Sequence, residues 1–222
     1  IKVENGVNTA CDFAGCTFAP GSEVFGFSSV EVGGTYYNTL QEAVNAASNG
    51  ATINVSNTTY DVNSLDIVNK NLTFVAENGA TIKGLVYLTD SNVKFEGFTF
   101  TNPDAVKTTA CTTGDLIDQK VNGNNPVVGA YVATTVAFER CHFDLQGNVT
   151  YGFWGYADNN VTFDRCTFEC YKKRPIASNG DKTTVTGCTF NNQYHYSVRL
   201  FENSNNKQTV VFTNNVVKGN SD

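Results

Sequence analysis

The phrase VTFDRCTF at 161–168 returns along the chain, and that recurrence limits the fold more than any other feature. VKFEGFTF lies at 93–100, VAFERCHF at 136–143, TTVTGCTF at 183–190 and VVFTNNVV at 210–217. CDFAGCTF at 11–18 is a further copy near the start, and NLTFVAENGATI at 71–82 begins another at Leu72. The common frame is apolar, any, apolar, two mixed residues, Cys or Phe, any, Phe. Successive copies are about 21–27 residues apart, with one double interval between 93 and 136, and a period of this size means a solenoid.

The residues say which solenoid. Leucine-repeat signatures and paired helices are missing. Short runs of Val, Thr and Phe alternate with Asn, Gly and Asp clusters, which fits parallel strands joined by turns. Val161 and Phe163 face inward on one short strand, Asp164-Arg165 makes a corner, and Cys166 and Phe168 face inward on the next. A third strand precedes each phrase: LVYL at 85–88, VVGAYV at 127–132, YGFWGY at 151–156, RPIA at 174–177 and SVRLF at 197–201. Three strands and three corners make one coil, and stacked coils set Phe on Phe and Cys on Cys. The expected fold class is therefore all-β, a parallel β-helix.

One segment departs from this pattern. NTLQEAVNAASNG at 38–50 reads as a helix near 38–48, with Asn38 as N-cap, Gln41 three residues on, and Leu40, Ala43, Val44 and Ala47 on one face. Placed ahead of the first coil, it would cover the end of the stack. No such cap follows Val217, so further domains of the same chain or another subunit are expected at that end. Residues 1–29 form a segment without an assigned role, expected to pack on the helix. Residues 30–222 form the β-helix domain, read as a piece of a longer protein.

At this point the residues resemble a known family. VGGTYYNTLQEAVNAASNGATINV at 32–55, followed by LDIVNKNLTFVAENGATIKG at 65–84, is similar to the opening of pectate-lyase-like right-handed β-helix domains of bacterial cell-surface and adhesin-like proteins. The resemblance implies a right-handed solenoid and an extracellular or cell-surface location. With no cluster of outward carboxylates in the sequence, the leading expectation is a non-enzymatic stalk or adhesin, with a glycan or a host or cell-surface component as its partner. Polysaccharide lyase, glycoside hydrolase and phage-tailspike-like activities are the alternatives, because one fold hosts many functions. A lyase would call for Ca²⁺; otherwise no cofactor is expected.

Composition narrows the partners. The net charge is −6 and charged residues make up only 16 % of the chain, with no basic stripe, so nucleic acid is not an expected partner. No run approaches the roughly 20 apolar residues of a membrane span. The Cys count is seven, an odd number. Cys141, Cys166 and Cys188 share one phrase position and read as buried packing residues. A disulfide among Cys11, Cys16, Cys111 and Cys170 is left open. A zinc site at Cys166, Cys170 and His142 would pull core residues out of their packing, so no metal site is expected.

Two arrangements carry candidate chemistry. Glu139 and Asp164 share a phrase position, so they stack on adjacent coils at a separation that suits a retaining glycosidase pair. Arg140 and Arg165 follow them, and a surface ion ladder is the commoner use of such a pattern. The basic run Tyr171-Lys172-Lys173-Arg174-Pro175 reads as a solvated corner. The stronger candidate is aromatic. Tyr87, Tyr131 and Trp154 fall between inward residues of the third strand, Arg199 takes the related place later, and Tyr151, Tyr156, Tyr194 and Tyr196 lie nearby. Such a stripe on a flat parallel sheet is a platform for sugar rings.

Overall fold

A computed structural model describes residues 30–103, 117–119, 134–147, 149, 151–156, 159–194, 196–200 and 208–219, with the backbone alone at 77–78 and 117–119. The expectations for residues 1–29, Cys11, Cys16, Cys111 and Tyr131 lie outside the described residues.

The chain enters through an antiparallel hairpin, β1 (Val30–Val32) and β2 (Thr35–Tyr37), followed by helix α1 (Leu40–Ala46). The coils begin with β3 (Ala51–Val55), β4 (Thr59–Val68) and the long β5 (Asn71–Thr89). Next come β6 (Asn92–Thr101), β7 (Ile117–Gln119), β8 (Thr135–Glu139), β9 (His142–Asp144) and β10 (Tyr151–Gly155). The later coils are built from β11 (Asn160–Asp164), β12 (Thr167–Glu169), β13 (Arg174–Ser178), β14 (Lys182–Thr186), β15 (Thr189–Gln193) and β16 (Val198–Leu200). The last described coil supplies β17 (Thr209–Thr213) and β18 (Val216–Gly219). Apart from the pairings of β1, every described pairing is parallel. The result is a parallel β-solenoid of about six turns with, among the described residues, a single short helix.

Register explains the recurring phrase. On the first face Ile53, Phe74, Phe95, Phe138, Phe163, Val185 and Phe212 pair in succession. On the second face the succession is Tyr60, Ile82, Phe100, Phe143, Phe168, Phe190 and Val217. The third face contributes Leu65, Val86, Ile117, Phe153, Ile176 and Val198. Phe143, Phe168 and Phe190 stack with centroids 4.7 Å apart, the repeat set by strand spacing itself. The corner within the phrase has one backbone solution. Its fifth residue is left-handed in the copies beginning at 93, 136, 161, 183 and 210, as Gly97, Arg140, Arg165, Gly187 and Asn214, whereas in the copy beginning at Leu72 the left-handed residue is Gly79. Gly supplies this conformation without a Cβ penalty and Asn tolerates it, whereas the two arginines adopt it at a cost.

The helix does cap the stack, by a different cap from the one expected. Thr39, not Asn38, is the N-cap, and Glu42, not Gln41, closes the capping box. The Glu42 N–H donates to Thr39 Oγ1 at 3.1 Å, and the Thr39 N–H donates to Glu42 Oε2 at 3.2 Å. Gln41 is thereby released for another task. Its amide accepts from the Asp66 N–H at 2.9 Å and donates to the Asp66 carbonyl at 3.0 Å, pairing the open edge of β4 as a strand would. At the far end Val210, Phe212 and Val217, in positions that are core on earlier coils, are 40 %, 44 % and 49 % exposed. Among the described residues no helix is long and apolar enough to cross a membrane.

Candidate functional site

Next to the inward residues of the third face, the register aligns Asp66, Tyr87, Asp118, Trp154, Ala177 and Arg199 in one column. Three of the residues singled out from the sequence therefore share one column. The place expected for Tyr131 is taken by Asp118, because Ile117-Asp118-Gln119 forms the third strand of the irregular coil where VVGAYV was expected to. Tyr87 is 5 % exposed and packs with Leu85 in a small cluster of its own.

Trp154 is half-buried and stands between two tyrosines. Its ring meets Tyr151 edge-on at 4.7 Å and Tyr156 at 6.3 Å. Arg174, paired across the sheet with Tyr151, lies over that ring at 5.4 Å and donates from Nη1 to the hydroxyl at 3.3 Å. Arg199 repeats the arrangement with Tyr196, at 5.7 Å from the ring and 3.2 Å from the hydroxyl. Burial pushes the pKa of Tyr151 up, so its hydroxyl stays protonated at neutral pH. The cluster thus offers the partly open rings of Trp154 and Tyr156 beside tyrosine hydroxyls and guanidinium groups, the mixture that recognises the two faces of a sugar. Arg174 and Tyr196 were not singled out as site residues from the sequence. The signal was available: residues 151, 174 and 196 are spaced by about one coil.

The two carboxylates weighed as a catalytic pair lie on the first face, where Glu96, Glu139 and Asp164 pair in succession. Lys94 Nζ is 3.0 Å from Glu96 and 2.6 Å from Glu139. Arg140 bridges Glu96 and Glu139, and Arg165 bridges Glu139 at 2.8 Å and Asp164 at 2.7 Å. The ammonium of Lys94, hydrogen-bonded to Glu139, holds that carboxyl below the usual range, opposite to what a general acid requires. The arrangement acts as an ion ladder, and it accounts for Arg140 and Arg165 in the left-handed corner: each guanidinium joins carboxylates of two coils. Among the described residues no group of three or more His, Cys, Asp or Glu side chains is placed to hold a metal ion. Cys141, Cys166, Cys170 and Cys188 are buried free thiols.

Comparison with known proteins bears on the fold. A family model described as the right-handed beta helix region matches residues 83–222. No curated protein and no solved structure matches the chain.

Proposed function

The chain belongs to the right-handed β-helix family, and from that premise we propose that it is a non-enzymatic module of a cell-surface protein, a stalk or adhesin that holds glycans on its third face. One observation carries this reading: Trp154, flanked by Tyr151 and Tyr156, shares a column with Arg199 two coils along. The solenoid fixes the spacing of these groups, so an extended sugar chain meets preset contacts and loses less on binding than it would on mobile loops. The resemblance of residues 30–84 to surface-protein β-helices supports an extracellular location. The exposed Val210, Phe212 and Val217 fit a further coil, domain or subunit seated on that end.

The experiment is retention on immobilised polysaccharides, run beside assays for released reducing ends and for the absorbance of unsaturated products. Retention that Trp154→Ala abolishes, without product release, supports the reading. Turnover that Glu139→Gln or Asp164→Asn abolishes would overturn it in favour of a lyase or hydrolase.

A further inference from the structure

The two ends of the stack are finished differently. At the entry end β1 lies antiparallel along β3, and Gln41 pairs the edge of β4. At the other end, among the described residues, β17 pairs with β14 and β18 with β15, both of the coil before. Phe212 stacks on Phe190 with centroids 6.0 Å apart, yet it stays exposed together with Val210, Val216 and Val217. Asn215 directs both of its side-chain bonds to the preceding coil.

What such an end accepts is specified position by position. On the coils before it the phrase has inward residues at its first, third and eighth places and a left-handed fifth residue. Its sixth side chain takes the N–H of the sixth residue one coil earlier: Cys188 Sγ from Cys166, and Asn215 Oδ1 from Cys188. CDFAGCTF at 11–18 is the one copy of the phrase that lies ahead of the cap in sequence, and it meets each requirement. In this register Cys11, Phe13 and Phe18 would cover Val210, Phe212 and Val217. Gly15 would stand at the corner that Gly97 and Gly187 occupy, and Cys16 would bring a sulfur to the Asn215 N–H.

Reach decides which molecule supplies the segment. On the first face β1, β3, β5, β6, β8, β11, β14 and β17 follow one another, so a strand beyond β17 lies about 38 Å from β1 at ordinary strand spacing. Residues 19–30 span at most about 40–43 Å when fully extended. Their path must also cross from the second face to Val30, which sits beside Val55 on the first. Seating on the same molecule therefore leaves the linker no slack, and Pro20-Gly21 lies within it. The open end of a second copy can meet the segment without that stretch. We propose that residues 11–18 of one copy complete the last coil of a second copy by strand addition, joining molecules head to tail. Donor and acceptor are different surfaces, so the contact propagates rather than closing as a two-fold dimer. The inference rests on the reading of that end as an interface, and it names a second copy as the partner.

The test uses the 222-residue chain. Light scattering after size-exclusion chromatography should show a mass that rises with concentration. Phe13→Asp together with Phe18→Asp removes the donor and should weaken assembly by about tenfold or more. Phe212→Asp, at an exposed position, removes the acceptor and should do the same. A mixture of the donor-defective and acceptor-defective variants retains one intact pairing and should stop at dimers. Gly15→Val should weaken assembly and Gly15→Asn should not, a difference that follows from the left-handed corner and not from apolar stickiness. A photoreactive benzophenone side chain in place of Phe212, in a mixture of heavy-isotope-labelled and unlabelled protein, should cross-link to residues 11–18 of the differently labelled copy. Cross-links confined to one molecule would overturn the assignment to a second copy. Cross-links from position 212 to residues 209–219 of another copy would show the open ends pairing with each other and overturn it too, as would a mass independent of concentration. Glycan retention through Trp154 is measured separately, so failure here leaves that reading standing.

Discussion

The backbone N–H of Cys166 donates to the Sγ of Cys188, 3.3 Å away on the next coil. The thiol of Cys188 in turn reaches back to the Phe163 carbonyl at 3.5 Å, as Cys166 does to Phe138 at 3.3 Å and Cys141 to Phe95 at 3.5 Å. In the last described coil Asn215 does the same work. Its Nδ2 donates to the Val185 carbonyl at 3.0 Å and its Oδ1 accepts from the Cys188 N–H at 2.8 Å. At Cys188 and Asn215 the position therefore carries a group that both accepts from and donates to the preceding coil, in addition to filling space, whereas in the copy at 93–100 Phe98 fills it with an apolar ring alone.

Cys188→Val keeps an apolar side chain there but leaves the buried Cys166 N–H without its acceptor, at an expected cost of about 1–3 kcal/mol. Cys188→Ser retains a donor and an acceptor and should cost less. Urea denaturation midpoints of the two variants decide; a serine variant no more stable than the valine variant would show the position to be packing alone.

The core thiols should be silent in the native state. Burial pushes the Cys170 thiol up to about 12 and raises Cys166 as well, so their thiolates are scarce at pH 8; the hydrogen bond with Cys166 shifts Cys188 down, and it is burial that keeps reagent from Cys188 and Cys141. Alkylation at pH 8 followed by peptide mass mapping should leave Cys141, Cys166, Cys170 and Cys188 unmodified until denaturant is added. Modification at the rate of a free thiol would contradict the buried stack.

The ion ladder sets a pH window. The Glu139 carboxyl is held low by Lys94, so its contribution is complete above the ordinary carboxylate range near about 4.3 and is lost as pH falls through the lower folded value. Lys94 is raised above 10.5 by Glu139 and Glu96, so its contribution is complete below that value and is lost as pH climbs through the raised one. The stability difference between the native protein and Lys94→Met should therefore be flat from about pH 5 to about pH 10 and shrink on either side. A difference that is largest at pH 3 would refute the assignment.

Gly84 is irreplaceable for steric reasons. Its φ is +141°, and a Cβ there would lie 1.7 Å from the Val62 carbonyl oxygen, opposite the register shift between Asp61 and Ser64. Gly84→Ala should destabilise by roughly 3 kcal/mol or more, since both backbone strain and overlap with a neighbouring strand oppose it. Gly34→Ala, with nothing within 4 Å of its Cβ position, is the matched control. Thermal melts of the pair should differ widely.

Much of this architecture was legible in the recurring phrase, because an eight-residue frame fixes which side chains face inward on two of the three faces, and stacking then dictates register. The third face was harder. Ile117-Asp118-Gln119 is only three residues long, and VVGAYV offered a longer apolar run in the same interval. The helix cap was misplaced by one residue because Asn38 and Thr39 are both good caps, and Gln41 and Glu42 both suit the reciprocal bond. The role of Arg174 could not be read from its neighbours in sequence. Its basic run resembles any solvated corner until the coil register brings it beside Tyr151.

The most direct test of the account is a titration of the 222-residue chain with oligosaccharides drawn from a polysaccharide panel, followed through the fluorescence of Trp154, the only tryptophan. The account predicts a saturable change in emission as a sugar covers the indole, and calorimetric binding that Trp154→Ala weakens by about tenfold or more, since a central Trp carries a large share of binding energy. Unchanged emission together with undiminished binding by Trp154→Ala would place any glycan site elsewhere and contradict the function assigned to the third face.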